Sequence, residues 1–228
     1  AFQFRKYSLA AAPVRDEAGR LVGMITVDDM VDVMQEEHAE DLLSLLNVNS
    51  ADISDTVWDT VVARAPWLGV NLFTAFIASG IISMFEGAIG QVVALAILMP
   101  VVAALGGNAG SQGLAVAVRA IAEKQMDGAA ARRAVLREVM SGAVNGLIFA
   151  VGVGLIALLW FSDIRLALVI GTAMLTTFIW AGLSGILVPL GLKRLGADPA
   201  VASSVFVLTL TDVMAFFSFL GLASLVLL

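Results

Sequence analysis

The sequence contains no cysteine among its 228 residues. This excludes disulfide scaffolds, thiolate nucleophiles and Cys-based zinc sites. Charge is also scarce, because Asp, Glu, Lys and Arg make up 14% of the residues against about 25% in an average soluble domain. The net charge of −6 argues against a nucleic-acid partner. The chain also lacks a Ser-His-Asp set, an HExxH motif, a P-loop and a dinucleotide fingerprint, so we predict that it is not an enzyme.

Apolar residues, in contrast, form 60% of the chain, and the mean hydropathy is +0.95. The charges are unevenly placed: residues 1–65 hold 5 Lys/Arg and 12 Asp/Glu, whereas residues 66–228 hold 8 and 7. We therefore predict a short acidic piece followed by a membrane part. Because the first residues read as the middle of a domain, we expect a longer protein.

Five long stretches have almost no charge, and a membrane-spanning helix needs about 20 mainly apolar residues. The predicted fold is a mostly α, polytopic membrane protein with five transmembrane helices within residues 66–228. The predicted spans are 66–85, 88–118, 139–162, 166–192 and 199–228.

The basic residues predict the orientation of these spans. Seven of them lie in two connections, between spans two and three and between spans four and five, whereas the opposite side has only Arg165. By the positive-inside rule, the N-terminal piece and both basic connections are cytoplasmic and the C-terminus lies outside the cell membrane.

The acidic piece reads as strand, turn, strand and helix. The segment Glu17-Ala18-Gly19 supplies the turn, and Asp28 or Asp29 is expected to cap a helix that runs to about Leu46. A break at residues 47–50 precedes a connecting helix that ends at residue 65. A ββα unit of this size cannot bury much core alone, so it needs further sequence or a second subunit.

Residues 36–59 contain seven carboxylates and no Lys or Arg. Glu37, Glu40 and Asp41 lie at i, i+3 and i+4, on one helical face. Such oxygen ligands suit Mg²⁺ or Ca²⁺, although a solvated acidic face is the more common explanation of such a cluster. The single histidine, His38, is expected to be a surface residue.

Asp212 lies 13 residues into an apolar segment, deep in the predicted bilayer. An intramembrane carboxylate faces protein or water and marks an ion or proton pathway by default. The alternative is a buried Asp that is hydrogen-bonded to a neighbouring helix, or to Thr209 and Thr211 beside it.

The segment Gly106-Gly107-Asn108-Ala109-Gly110-Ser111-Gln112 is expected to interrupt span two. Irregular backbone at this depth is tolerated only where protein or a water-filled path surrounds it. The alternative is close helix packing through small residues. Four glycines of span three fit the packing interpretation better than a site: Gly142, Gly146, Gly152 and Gly154.

At this point the chain resembles the MgtE family of magnesium transporters. The resemblance is carried by Met99-Pro100 with the segment 106–112, by Ala197-Asp198-Pro199-Ala200, and by Leu208-Thr209-Leu210-Thr211-Asp212-Val213 with Phe219-Leu220-Gly221-Leu222-Ala223. Pro13-Val14, residues 21–26 and Val27-Asp28-Asp29 resemble the end of that family's second CBS domain. The family's usual glycine after Thr-Asp-x-x is Ala215 here.

The resemblance implies a homodimeric Mg²⁺ channel in which spans two and five line the pore. It assigns residues 1–46 to a partial CBS domain and 47–65 to a connecting (plug) helix. Asp212 would bind the permeating ion, and Asn108, Gln112, Thr209 and Thr211 are pore-lining candidates. Cytosolic Mg²⁺ would hold the pore shut at regulatory sites formed by Asp28, Asp29, Glu37, Glu40, Asp41 and Asp198. The implied partners are a second copy, Mg²⁺ and membrane lipid.

Three alternatives stay open at this point. The same path could carry another divalent ion such as Co²⁺ or Mn²⁺. A membrane sensor could bind Mg²⁺ without conducting it, although such a protein has no use for a midplane carboxylate. Finally, Asp212 could be the proton site of a proton-coupled carrier.

Overall fold

The structure, a computed structural model, describes residues 2–45, 56–123, 126 and 128–228. The chain is mostly helical, as predicted. Its elements are helix α1 (Phe2–Tyr7), strands β1 (Ala11–Arg15) and β2 (Leu21–Thr26), and helices α2 (Val27–Leu45), α3 (Val57–Ser83), α4 (Glu86–Gln91), α5 (Ala94–Ala122), α6 (Ala129–Phe161), α7 (Ile164–Arg194) and α8 (Pro199–Val226).

The N-terminal hairpin forms as predicted. Strands β1 and β2 are antiparallel, with Pro13 opposite Met24. The turn contains Gly19 at φ +79°, in the left-handed region that glycine adopts without steric strain. Asp16 and Arg20 close the turn through a backbone hydrogen bond and an exposed ion pair, both of 3.0 Å.

Helix α2 begins at a reciprocal cap, which corrects the predicted capping residue. The N-terminal cap is Thr26, whose hydroxyl accepts the Asp29 N–H, while the Asp29 carboxylate accepts the backbone N–H and the hydroxyl of Thr26 at 2.7 Å each. The side-chain hydrogen bond from Thr26, followed by its backbone hydrogen bond, holds the pKa of Asp29 below its ordinary value of 3.8. This stabilisation is therefore present above pH 3.8 and is lost as the pH falls through the lowered pKa. The break predicted at residues 47–50 lies outside the described residues.

Five helices are long and apolar enough to cross a membrane, as predicted: α3, α5, α6, α7 and α8. They have 27 to 33 residues, or about 40–50 Å at 1.5 Å per residue, which exceeds a hydrocarbon core of about 30 Å. The excess length is accommodated where a helix tilts within the bilayer or extends beyond the hydrocarbon. Helix α3 also runs unbroken through Pro66, so the described part of the predicted connecting helix and the first span form one helix.

The predicted interruption of span two lies at the wrong place. Helix α5 is continuous over residues 106–112. The break occurs earlier, at Val92 and Val93, between the short helix α4 and α5. The glycines in residues 106–112 instead allow neighbouring helices to approach closely, which is the alternative interpretation given above. A Cβ at Gly106 would lie 2.5 Å from Thr177 Cγ2 of α7, and one at Gly110 would lie 2.9 Å from Thr211 Cγ2 of α8.

Helix α7 is the centre of the bundle. It packs against α5, α6 and α8, whereas α6 packs chiefly on α7, and α3 packs on α8. The largest apolar cluster joins these helices, with Leu98 and Val102 of α5, Ile170 and Met174 of α7, and Phe219 of α8 fully or almost fully buried. Helix α2 of the N-terminal piece also packs against α8.

Helix α6 meets α7 through backbone-to-backbone contacts at three of its four glycines named above. A Cβ at Gly142 would lie 2.5 Å from the Phe178 carbonyl oxygen, and one at Gly146 would lie 3.1 Å from Leu175 Cα. Gly154 also approaches the backbone of α7, whereas Gly152 has no atom within 4 Å of the corresponding position. The packing interpretation therefore holds for Gly142, Gly146 and Gly154 but not for Gly152.

Gly142→Ala and Gly152→Ala form a matched pair within α6. Gly142→Ala places a methyl group against a backbone carbonyl that cannot move away, so we expect a loss of about 1–3 kcal/mol of unfolding free energy. Gly152→Ala meets open space and favours the helix by up to about 1 kcal/mol. Thermal unfolding of the detergent-solubilised protein measures both, and equal melting temperatures for the two variants would contradict the packing at Gly142.

Candidate functional site

Asp212 lies near the middle of α8 and is half-buried. The two threonines beside it do not donate to its carboxylate. The Thr209 hydroxyl donates to the Val205 carbonyl oxygen at 2.7 Å, and the Thr211 hydroxyl donates to the Leu208 carbonyl oxygen at 2.9 Å. None of the hydrogen bonds and ion pairs found within the described ranges includes Asp212. The alternative of a carboxylate that is hydrogen-bonded to a neighbouring helix therefore has no support in this part of the chain.

A polar stripe runs along the exposed side of α5. It consists of Asn108, Ser111 and Gln112, which lie at i, i+3 and i+4 and are all exposed. Amide and hydroxyl groups facing hydrocarbon cost several kcal/mol each when they are unpaired. The stripe is therefore turned toward water or toward another protein surface. Sequence reasoning placed Ser111 in the polar segment 106–112 but named only Asn108 and Gln112 as pore-lining candidates, although the helical spacing of Ser111 from them was a usable signal.

Asp212 and the polar stripe lie on the same side of the contact between α5 and α8. The contact is formed by Gly110, which faces Thr211 and Val207, and by Gly107, which faces Leu208. Leu208 and Asp212 are one helical turn apart, and Gly107 borders the polar stripe. The half-buried carboxylate and the exposed amides therefore flank one continuous surface.

Thr209 and Thr211, the other two predicted pore-lining residues, differ in their burial. Thr209 is half-buried and lies one turn from Asp212 on the same side of α8. Thr211 is fully buried against Gly110, with its hydroxyl bonded to its own helix, so this placement gives it a packing role within the single chain.

The predicted regulatory acids are distributed over α2 and the start of α8. Asp28 and Glu40 are exposed, Asp29 is engaged with Thr26, and the side chains of Glu37 and Asp41 lie outside the described part. The backbone of α2 is helical through Leu45, which keeps Glu37, Glu40 and Asp41 on one face. Within the described residues, no three His, Asp or Glu side chains come together as a metal site.

Asp198 has a structural contact of its own. Its carboxylate accepts the Ala200 N–H at 2.8 Å and caps the N-terminus of α8, with Pro199 at the first helical position. Asp163 caps α7 in the same manner, through the N–H groups of Arg165 and Leu166.

Glu138 of α6 is a half-buried acid that sequence reasoning missed. Its Oε2 lies 3.6 Å from the position that a Cβ added at Gly113 of α5 would take, and Gly185 of α7 lies near the same position. It was missed because it stands one residue before the predicted third span, where a charge is unremarkable.

Comparison with known proteins decides the family. The family model MgtE, described as a divalent cation transporter, matches residues 99–222. The chain belongs to the MgtE family. The matched region contains Asn108, Gln112, Asp198 and Asp212. The MgtE family is one of transporters rather than enzymes, which agrees with the lack of a catalytic motif.

Curated MgtE relatives match nearly the whole chain. The chain is 36% identical over 220 residues to the magnesium transporter MgtE of Enterococcus faecalis, which is 96% of this chain and 49% of the relative. It is 34% identical to that of Bacillus subtilis (96% and 49%) and 36% identical to that of Thermus thermophilus (97% and 50%). The chain thus spans about half the length of the curated relatives it matches.

Substitution of Asp198 separates its two possible roles. Asparagine caps a helix about as well as aspartate, so we expect Asp198→Asn to preserve stability while removing the charge. Asp198→Ala loses the cap and about 1 kcal/mol of unfolding free energy. Thermal unfolding without divalent ions checks this, and equal destabilisation by both substitutions would contradict the capping role.

Proposed function

We propose that the protein conducts Mg²⁺ across the cell membrane through a path lined by α5 and α8. The observation that carries this proposal is the half-buried Asp212, near the middle of a membrane-spanning helix, beside the exposed polar stripe of α5. Mg²⁺ gives up its water reluctantly and prefers octahedral oxygen ligands. A carboxylate together with amide and hydroxyl groups suits an ion that keeps part of its water shell.

The path is completed by a second copy of the chain. In a single chain, Asn108, Ser111 and Gln112 would face hydrocarbon, and pairing two copies across this surface removes them from lipid. Two Asp212 carboxylates would then face one ion, which favours a divalent over a monovalent cation. Their mutual repulsion in the empty state keeps the site loaded with an ion.

The flux experiment uses the full-length protein in liposomes with an internal Mg²⁺-sensitive dye. We expect Asp212→Asn and Asp212→Ala to lower Mg²⁺ influx at least about tenfold, because each removes the charge from the path. Glu86→Gln, which neutralises an exposed acid of α4 at the end of a span, is the matched control and should leave influx unchanged.

Three results of this experiment would refute the proposal. Unchanged influx in both Asp212 variants would remove Asp212 from the path. Equal transport of Co²⁺ or Mn²⁺ would refute Mg²⁺ selectivity. Influx that requires a pH gradient would make Asp212 a proton site.

We further propose that Mg²⁺ on the cytoplasmic side closes this path. The residues up to about 46 form the end of a cytoplasmic CBS domain. Helix α2 packs against α8, whose N-terminus carries the exposed Asp198. Glu37, Glu40 and Asp41 share one face of α2, so these carboxylates repel one another and Asp198 when no cation is bound. Mg²⁺ that bridges them stabilises the closed arrangement, and the population shifts with the Mg²⁺ concentration.

Combined neutralisation of Glu37, Glu40 and Asp41 by Gln, Gln and Asn tests the gate. Without these charges the closed state gains no stabilisation from Mg²⁺, so the triple variant should keep conducting at millimolar Mg²⁺, where the parent protein closes. Asp32→Asn, which removes a charge of α2 outside this set of three acids, should close normally. Patch-clamp recording of the full-length protein gives the open probability, and normal closure of the triple variant would rule out this gate.

A further inference from the structure

An apolar groove runs between α6 and α7, with a volume of about 360 Å³. Its floor consists of small residues at which the two backbones come close. A Cβ at Gly154 would lie 3.3 Å from the Ala167 carbonyl oxygen, and one at Gly171 would lie 3.2 Å from the Ala150 carbonyl oxygen. Larger apolar side chains, among them Leu147, Val151, Leu155 and Leu168, form the flanks.

This groove opens toward the bilayer, away from the polar stripe. The four flanking side chains are all more than half exposed. Helix α7 uses a different face to meet α5, where Thr177 lies against Gly106 and Ala181 lies near Gly110. The groove is therefore not a part of the path proposed above, and the inference drawn from it does not rest on ion conduction.

The length of the groove matches one leaflet. Along α7 it extends from Ile164 to Leu175, twelve residues separated by eleven helical rises of 1.5 Å, or about 16 Å. Half of a hydrocarbon core of about 30 Å is about 15 Å. The groove thus runs from the end of α7 to about the middle of the membrane, the depth that one acyl chain reaches.

A basic residue stands at the open end of the groove. Arg165, Leu168 and Thr172 lie at i, i+3 and i+7, on one face of α7, and the last two line the groove. The Arg165 side chain is exposed, and no ion pair found in the described ranges includes it. The nearest acid in sequence, Asp163, is engaged by the backbone N–H groups at the start of α7. The exposed Trp160 marks the membrane interface at this end.

We propose that this groove holds one acyl chain of a glycerophospholipid whose phosphate is bound by Arg165. The guanidinium is complementary in charge to the phosphate and hydrogen-bonds it in the plane of its fork. The floor of Ala150, Gly154, Ala167 and Gly171 admits a single chain, and the Thr172 hydroxyl donates to the Leu168 carbonyl oxygen, which leaves this flank apolar.

Native mass spectrometry of the full-length protein with added palmitoyl-oleoyl-phosphatidylglycerol tests the site. We expect one tightly bound lipid per subunit. Arg165→Gln should weaken its binding about tenfold, corresponding to 1.4 kcal/mol, and Arg165→Lys should restore most of it. Diacylglycerol with the same chains should bind no better to the parent protein than the phospholipid binds to Arg165→Gln.

The matched pair Val151→Trp and Val144→Trp tests the groove itself. Both positions are on α6 and similarly exposed, 56% and 60%, but only Val151 lines the groove. Val151→Trp fills it and should weaken phospholipid binding at least about tenfold, whereas Val144→Trp should change it less than about twofold. Equal effects of the two substitutions, or equal binding of diacylglycerol and phospholipid, would overturn the proposal. So would a change of oligomeric mass in Val151→Trp without a change in lipid binding, because the groove would then be a protein interface.

Discussion

The exclusion of unpaired polar groups from hydrocarbon is the constraint on which the rest of this structure depends. It requires that every backbone N–H and C=O within the bilayer be bonded inside the protein, which the five long helices achieve. It also explains why several hydroxyl groups of the membrane-spanning helices donate to backbone carbonyls of their own helices. Thr176 donates to Thr172 and Ala173, Ser184 to Ala181 and Thr209 to Val205. An exposed amide or a carboxylate without a partner is therefore evidence of a nearby polar surface, because such a group is unfavourable in hydrocarbon.

Within this constraint, close approach of the helices is the main contact that the described residues show between them. The ion pairs Arg20–Asp16 and Arg119–Glu123 are exposed, and each joins residues of the same local segment. The contacts among α5, α6 and α7 instead occur where glycines let one backbone reach another. A Cβ at Gly182 would lie 2.7 Å from the Glu138 carbonyl oxygen, and one at Gly185 would lie 2.8 Å from that of Gly110. Small residues serve this purpose in membranes because apolar side chains gain little from leaving lipid.

Much of the fold was predictable because its signals are local. Five long runs with at most one charge each predicted five spans, and Gly19 after Glu17 and Ala18 predicted the turn of the hairpin. The cap of α2 was predicted at the right place. The prediction named Asp28 or Asp29, whereas the N-terminal cap is Thr26 and Asp29 supplies the reciprocal hydrogen bonds. The position of the helix break near Val92 could not be predicted from such local sequence signals. Residues 106–112 looked irregular in sequence, but they are helical, and their glycines are the points at which α7 and α8 approach α5.

The sequence by itself determined the number of membrane spans, the uneven distribution of charge and the presence of a lone carboxylate in the fifth span. These properties depend on hydropathy and on neighbours along the chain. Only the tertiary structure decided which glycines are contacts and which are open, as with Gly142 and Gly152. It alone also placed Asp212 and the polar stripe of α5 on one side of the same helix pair, and opened a groove below Arg165. Each of these depends on how two helices are rotated against each other, and hydrophobic periodicity within a uniformly apolar span does not specify that rotation.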